Sequence, residues 1–171
     1  AIRRRWEKPP TGLLKVNVDG AFRDLDKNGG WGYVIRDEEG VVIQSGLGRI
    51  MNVGNSLYTE LVACLEGAKA VLSLGASQFI METDAQHVVW AMQGDDFRLA
   101  TVGGIVHELK VLLVESLSSV RFAHVPHECN KVTHELASLG QSRNVFAPLV
   151  LAGVPHCIMD MVSGDLADVV E

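Results

Sequence analysis

The sequence predicts an α/β domain built on one mixed β-sheet covered by helices, and three observations carry that reading. Residues 13–48 hold three β-rich runs separated by turn residues. Residues 55–139 then alternate between helical and strand periods. Hairpins first, then strands alternating with helices, imply a sheet with both antiparallel and parallel pairs. Finally, 47% hydrophobic and 21% charged residues in a chain of 171 supply one sizeable core and exclude disordered and fibrous classes.

The first run, Leu13 to Phe22, sends Leu14, Val16 and Val18 one way and Lys15, Asn17 and Asp19 the other. That alternation is a strand with one buried face. Trp31 to Asp37 and Val41 to Gly48 are the second and third strands, joined at Glu38-Glu39-Gly40, where glycine marks a hairpin turn. After Gly54 the period changes. Asn55 or Ser56 suits a helix N-cap, and Leu57, Leu61, Cys64, Leu65, Ala68 and Leu72 follow at helical spacing up to Gly75. Gln78 to Thr83 is a fourth strand, followed by a helix from about Ala85 to Gln93 and a loop at Gly94-Asp95-Asp96. Val102 to Leu117 is another helix, Val120 to Val125 a fifth strand, and Asn130 to Leu139 a last helix.

Residues 1–12, with Pro9-Pro10 and Gly12, read as a linker or the remnant of a longer chain. Residues 13–140 form the domain. Residues 141–171 lose the clean period and turn acidic, so they are expected to be a loosely packed, partly flexible extension. No stretch approaches the ~18 uncharged apolar residues of a membrane helix, and no apolar run follows Arg3-Arg4-Arg5 as in a secretory signal. Cys64, Cys129 and Cys157 form no CxxC pair, which fits reduced thiols in an intracellular setting, nuclear or cytoplasmic. The net charge of −6 by itself argues against gripping nucleic acid through a bulk positive field.

Three carboxylates stand out. Asp19 lies opposite the apolar stripe of the first strand, beside Gly20. Asp84 ends the fourth strand, where catalytic groups of α/β folds collect. Glu60 shares a helix stripe with Leu57, Cys64, Gly67 and Val71, where an unpaired charge is expensive. Singly, these residues also suit a turn, an N-cap and a first-turn helix acid. If strands one and four are neighbours, the three converge, and the natural companions are hard cations, Mg²⁺ or Mn²⁺. Two such ions about 4 Å apart clamp a phosphate for in-line attack by water. Near them, Asn130 and His134 share a helix face at i, i+4, and His124 and His127 lie just upstream. This points to His134 as a metal-edge ligand and to His124 or His127 as an acid/base. A zinc hydrolase competes for the histidines, but no HExxH spacing supports it.

These residues sit in a longer series. It begins Trp6-x-x-Pro9-Pro10-x-Gly12-x-x-Lys15-x-Asn17-x-Asp19-Gly20-Ala21 and continues through Gly30-x-Gly32-x-Val34-x-Arg36-Asp37-x-x-Gly40. Glu60-Leu61-x-Ala63 and Glu82-Thr83-Asp84-Ala85-Gln86 follow, then His124-Val125-Pro126 and Asn130-Lys131-x-x-His134-x-Leu136-Ala137. The series resembles plant reverse-transcriptase-associated ribonuclease H domains over roughly residues 6–140. The resemblance implies a ribonuclease H-like fold: a five-stranded mixed sheet, its first three strands antiparallel, with helices on both faces. It implies cleavage of the RNA strand of an RNA–DNA hybrid with two Mg²⁺ (or Mn²⁺) ions, leaving 5′-phosphate and 3′-hydroxyl ends. Asp19, Glu60 and Asp84 match the family's metal carboxylates. Gly20, Ser56, Gln86 and Asn130 fall where hybrid contacts are expected. The chain would be a monomer, on its own or within a retroelement polyprotein.

Two departures accompany the resemblance. The fourth metal carboxylate falls at His134, whose imidazole brings no negative charge. His127 stands where plant relatives usually carry Arg. Moreover, Arg98 and Lys110 are the only basic residues of Arg or Lys type between Asp84 and Val120, too few for a hybrid-gripping handle. The alternative function is therefore a catalytically weak or inactive nucleic-acid-binding or interaction module on the same fold. A transposase or exonuclease of the same fold is disfavoured by the opening meander and by Glu60 on the helix directly after it.

Overall fold

The alternation of the first run builds the centre of the molecule. In the computed structural model, which describes residues 4–94 and 102–167, Leu14–Arg23 is strand β1. It pairs antiparallel with β2 (Asn28–Arg36), which pairs antiparallel with β3 (Val42–Ile50). Helix α1 (Ser56–Ser73) crosses back to β4 (Gln78–Thr83), which lies parallel to β1 with Asn17 opposite Glu82. Strands one and four are therefore neighbours. Helices α2 (Gln86–Gln93) and α3 (Gly103–Glu115) lead to β5 (Ser119–His124), parallel to β4. Helix α4 (Lys131–Ser142) follows.

The sheet has six strands, not five. Leu149–Leu151 forms β6, antiparallel to β3, and the strand order is β5-β4-β1-β2-β3-β6. Three residues are too few to show a period of two, so the sequence pattern is silent there. A last helix, α5, spans Met159–Leu166. Ile158, just before it, is buried with Val34, Leu47, Val132 and Leu136 in the core between the sheet and α4. The larger core lies on the other face, where Val16, Val18, Tyr33 and Ile35 meet Leu61, Cys64, Leu65 and Ala68 of α1. Helices thus cover both faces.

β2 begins earlier than its apolar residues indicate, because Asn28-Gly29-Gly30 reads as a turn. It is strand because α4 presses onto it: a Cβ at Gly30 would lie 2.2 Å from the Ala137 carbonyl oxygen. Glycine here serves close approach rather than a turn. The polar face of β1 is also buried, with Lys15, Asn17 and Asp19 each at most 5% exposed.

The two terminal segments meet on the molecule. Trp6 is buried, and the Arg36 guanidinium lies 4.3 Å from its ring centre. Arg36 pairs with Asp165 of α5 at 2.8 Å, and the Arg5 side chain donates to the Ala167 carbonyl. Among the described residues no helix is long and apolar enough to cross a membrane. The expected loop positions Asp95 and Asp96, together with Arg98 and the acidic Asp168 and Glu171, lie outside the described residues.

Candidate metal centre

Three separate elements deliver the three carboxylates to one place. Asp19 is inside β1 rather than in a turn, on the face away from Val16 and Val18. Asp84 directly follows β4. It does not cap α2: the N-cap position is Ala85, with no side-chain hydrogen bond. Glu60 is past the first turn of α1, whose N-cap is Asn55, its side chain accepting from the Tyr58 amide at 2.9 Å. α1 approaches β1 closely because residue 20 is glycine. A Cβ there would sit 2.5 Å from the Thr59 carbonyl carbon and 2.6 Å from the Glu60 nitrogen. The Gly20 amide donates to Asp19 Oδ1 at 2.9 Å and to Glu60 Oε2 at 3.0 Å, tying the two carboxylates to one donor.

Asp19, Glu60 and Asp84 each offer an oxygen within 4.8 Å of the others. Asp19 is 3% and Glu60 8% exposed. Burial, then the negative charges of Asp19 and Asp84, push Glu60 up to about 10. Burial, then Asp84, raise Asp19 to about 6, against the lowering effect of His134. Burial and mutual repulsion thus hold both carboxylates toward their protonated forms in the absence of a cation. Hard oxygen donors, tight spacing and converging negative charge fit one or two divalent cations.

The histidines ring this cluster. His134 Nδ1 is 3.1 Å from Asp19 Oδ2, and His127 Nδ1 is 3.1 Å from Asp84 Oδ2. Their rings meet edge to face at 4.7 Å. His124 Nε2 is 3.2 Å from the Asp84 carbonyl oxygen. All three pair with the acids or their backbone, and among the described residues they join no group of three or more ligands of their own. A histidine-built zinc site has no support here.

The four expected substrate contacts divide. Ser56 is exposed and Gln86 half-buried at the start of α2, both open to solvent. Gly20 uses its amide on the two carboxylates. Asn130 departs from the expectation of a hybrid contact: it is 2% exposed, and its carboxamide is engaged inside the protein. Its Oδ1 accepts from Asn17 Nδ2 at 3.1 Å, and its Nδ2 donates to the Val18 carbonyl at 2.9 Å.

Sequence reasoning missed the polar layer beneath the site. Asn17 Nδ2 also donates to Glu82 Oε1 at 3.1 Å, and Lys15 Nζ pairs with Glu82 Oε2 at 3.1 Å. Trp6 Nε1 donates to Asn17 Oδ1 at 2.9 Å. The signal was present as Lys15-x-Asn17-x-Asp19 on one face, but an alternating polar face reads as solvent-facing until α4 is placed over it.

The family model described as "Reverse transcriptase-like" matches residues 17–140. The chain belongs to that family. Its fold is that of ribonuclease H. It is similar to ribonuclease H1 from the archaeon Halobacterium salinarum NRC-1, at 21% identity over 75% of this chain and 97% of that one, with a TM-score of 0.69. An N-terminal ribonuclease H domain from Mycobacterium tuberculosis, solved as a fusion with maltose-binding protein, matches at 18% identity over 76% of this chain and 99% of that chain, TM-score 0.69. LC11-RNase H1, from compost metagenomic material and solved in complex with an RNA/DNA hybrid, matches at 20% identity over 75% and 96%, TM-score 0.69. No curated protein matches the chain.

Proposed function

We propose that this domain hydrolyses the RNA strand of RNA–DNA hybrids with divalent metal ions, as an endonuclease. One observation carries the reading: carboxylates from β1, α1 and the end of β4 converge within 4.8 Å, two of them buried and raised. Among the described residues no Lys or Arg pairs with these carboxylates, and Mg²⁺ or Mn²⁺ would neutralise them. The solved LC11-RNase H1 complex with an RNA/DNA hybrid supports the substrate class.

When bound, two such ions supply a nucleophilic water and neutralise charge on the phosphate. Asp19, whose two oxygens face Gly20 and His134, would help hold them. Glu60 and Asp84 would hold the ions with it, Glu60 as the carboxylate, and His134 would be the weaker ligand beside Asp19. The water oxygen would form a bond to phosphorus as one of its protons passes to solvent, and the bond from phosphorus to the RNA 3′-oxygen would break. His127 or His124, both exposed, delivers the proton that makes the leaving group a 3′-hydroxyl. The products are 5′-phosphate and 3′-hydroxyl ends.

A plant retroelement origin, a monomeric state and an intracellular setting belong to the same reading. The motif series from Trp6 to Ala137 supports the first, and three free thiols support the last. The net charge of −6 is compatible with a hybrid partner because part of it is the metal site, whose local sign reverses when cations bind.

The test is cleavage of an end-labelled RNA–DNA hybrid in Mg²⁺ and in Mn²⁺, alongside Asp19→Asn. Cleavage by the natural chain and none by the variant is expected. Hybrid retained but uncut at every metal concentration would replace the enzyme with a binding module.

A further inference from the structure

Trp6 lies before the first strand, in a segment whose composition reads as a linker, yet it is 4% exposed and its indole N–H reaches into the polar layer under the metal centre. An indole nitrogen can only donate. Asn17 Oδ1 must therefore face Trp6, which turns Asn17 Nδ2 toward Glu82 Oε1 and Asn130 Oδ1. Asn130 Oδ1 is then an acceptor, which leaves Asn130 Nδ2 to donate to the Val18 carbonyl. The donor-only indole at one end, and the acceptor-only Glu82 carboxylate and Val18 carbonyl at the others, agree on one direction for every hydrogen bond in the chain.

The chain touches three of the four elements that carry the site. Asn17 and Val18 immediately precede Asp19 on β1. Glu82 precedes Asp84 by two residues on β4. The Asn130 carbonyl accepts the His134 amide at 3.1 Å and the Thr133 hydroxyl at 2.9 Å, starting α4. Only Glu60, held by Gly20, is outside it. Trp6 is itself seated from several sides. Its ring lies against Arg36, which pairs with Asp165, and Lys15 Nζ donates to the Glu7 carbonyl at 2.6 Å. The Cys129 thiol donates to the Arg5 carbonyl at 3.1 Å.

We infer that Trp6 is a positioning residue for the metal centre, setting through Asn17 and Asn130 how α4 presents His134 to Asp19. The inference rests on the metal-site reading above for its consequence, but its structural part stands without metal. Without the indole N–H, Asn17 Oδ1 has no donor in a buried site, and the Asn17 side chain loses the contact that holds it from the Trp6 side. Its hold on Asn130 Oδ1 then weakens, and the first turn of α4 loosens while α1 does not.

The experiment is amide hydrogen exchange on the full metal-free chain, natural and Trp6→Phe, which keeps an aromatic ring against Arg36 but removes the donor. Replacing Trp6 by benzothienylalanine, equal in shape to Trp but without N–H, serves as the second variant. The His134 amide is expected to exchange at least tenfold faster in both, over and above any change at Cys64 and Leu65 in mid-α1. Equal acceleration at His134 and at Cys64 would show a merely structural role and overturn the inference. So would an unchanged His134 amide in the benzothienyl variant. Calorimetry with Mn²⁺ gives the functional arm: the weaker of two binding events is expected to lose at least tenfold in affinity, the tighter one less than twofold. Loss of both together would overturn the assignment to the α4 edge. Hybrid cleavage by the natural chain is scored separately, so an inactive enzyme with a Trp6-dependent α4 remains distinguishable from a failed relay.

Discussion

Gly20→Ala adds one methyl group at the seam between β1 and α1. The new Cβ would stand 2.5 Å from the Thr59 carbonyl carbon and 2.6 Å from both the Glu60 nitrogen and the Thr59 hydroxyl, where ordinary contact is 3.4–4 Å. Two of these atoms are backbone, so the first turns of α1 must withdraw by about 1 Å rather than rotate a side chain away. Overpacking of this kind costs about 1–3 kcal/mol. For a chain of this size each kcal/mol lowers Tm by roughly 2–4 °C, so a fall of about 2–12 °C is expected by differential scanning fluorimetry. Glu60 rides on the displaced turn, and its 3.0 Å contact with the Gly20 amide is lost. A misplacement of about 1 Å at a reacting centre costs on the order of 10²-fold in rate. Cleavage and Mn²⁺ affinity are measured well below the lower Tm, so that both proteins are folded. Gly140→Ala is the matched control. Its Cβ would lie 2.3 Å from the Gly48 carbonyl oxygen, an equally hard clash far along α4 from His134. It should lose stability and keep Mn²⁺ affinity. A folded Gly20→Ala protein that binds Mn²⁺ and cleaves hybrid within about twofold of the natural chain would refute the claim that this seam places Glu60.

Three further outcomes are expected. The metal-free protein should lose stability as pH rises. Asp19 and Glu60 are raised above their unfolded values of 3.8 and 4.5, so their contribution is full below about pH 4. It fades through about 6 for Asp19, a change of about 3 kcal/mol, and on toward about 10 for Glu60. Millimolar Mg²⁺ should flatten the decline between pH 5 and 8, and melts that stay parallel with and without Mg²⁺ would count against the site. Asp165→Ala should destabilise by about 3–5 kcal/mol, because Arg36 is 1% exposed and loses its counter-charge. Arg36→Met with Asp165→Leu should recover most of the loss in urea titrations. His134→Asp should tighten the weaker metal by about tenfold or more through the added charge, read as activity at lower Mg²⁺, while His134→Ala should weaken it.

The fold was legible where side-chain periods are long. The meander, α1 and the βα alternation follow from stripes such as Leu57, Leu61, Cys64 and Leu65, whereas the pairing of β1 with β4 was only a condition in the pattern and comes from the structure. β6 and α5 were not legible, because three strand residues and an eight-residue helix with no buried residue of its own show no period. At the site, Asp19, Glu60 and Asp84 were visible as carboxylates in places that punish charge. Asn130 was misread because the i, i+4 spacing with His134 says which face the two share but not how deep each lies. Trp6 was hidden by its neighbours: Pro9 and Pro10 mark a chain that cannot be helix or central strand, yet a chain without regular structure can still be packed.

Asp19, Glu60 and Asp84 are proposed above to hold divalent ions. Anomalous diffraction from crystals grown with millimolar Mn²⁺ measures that binding most directly. One fully occupied manganese is expected among the three carboxylates, and a second, weaker one on the His134 side of Asp19. Manganese absent from this cluster, with Glu60 and Asp19 still sharing the Gly20 amide, would contradict the proposal.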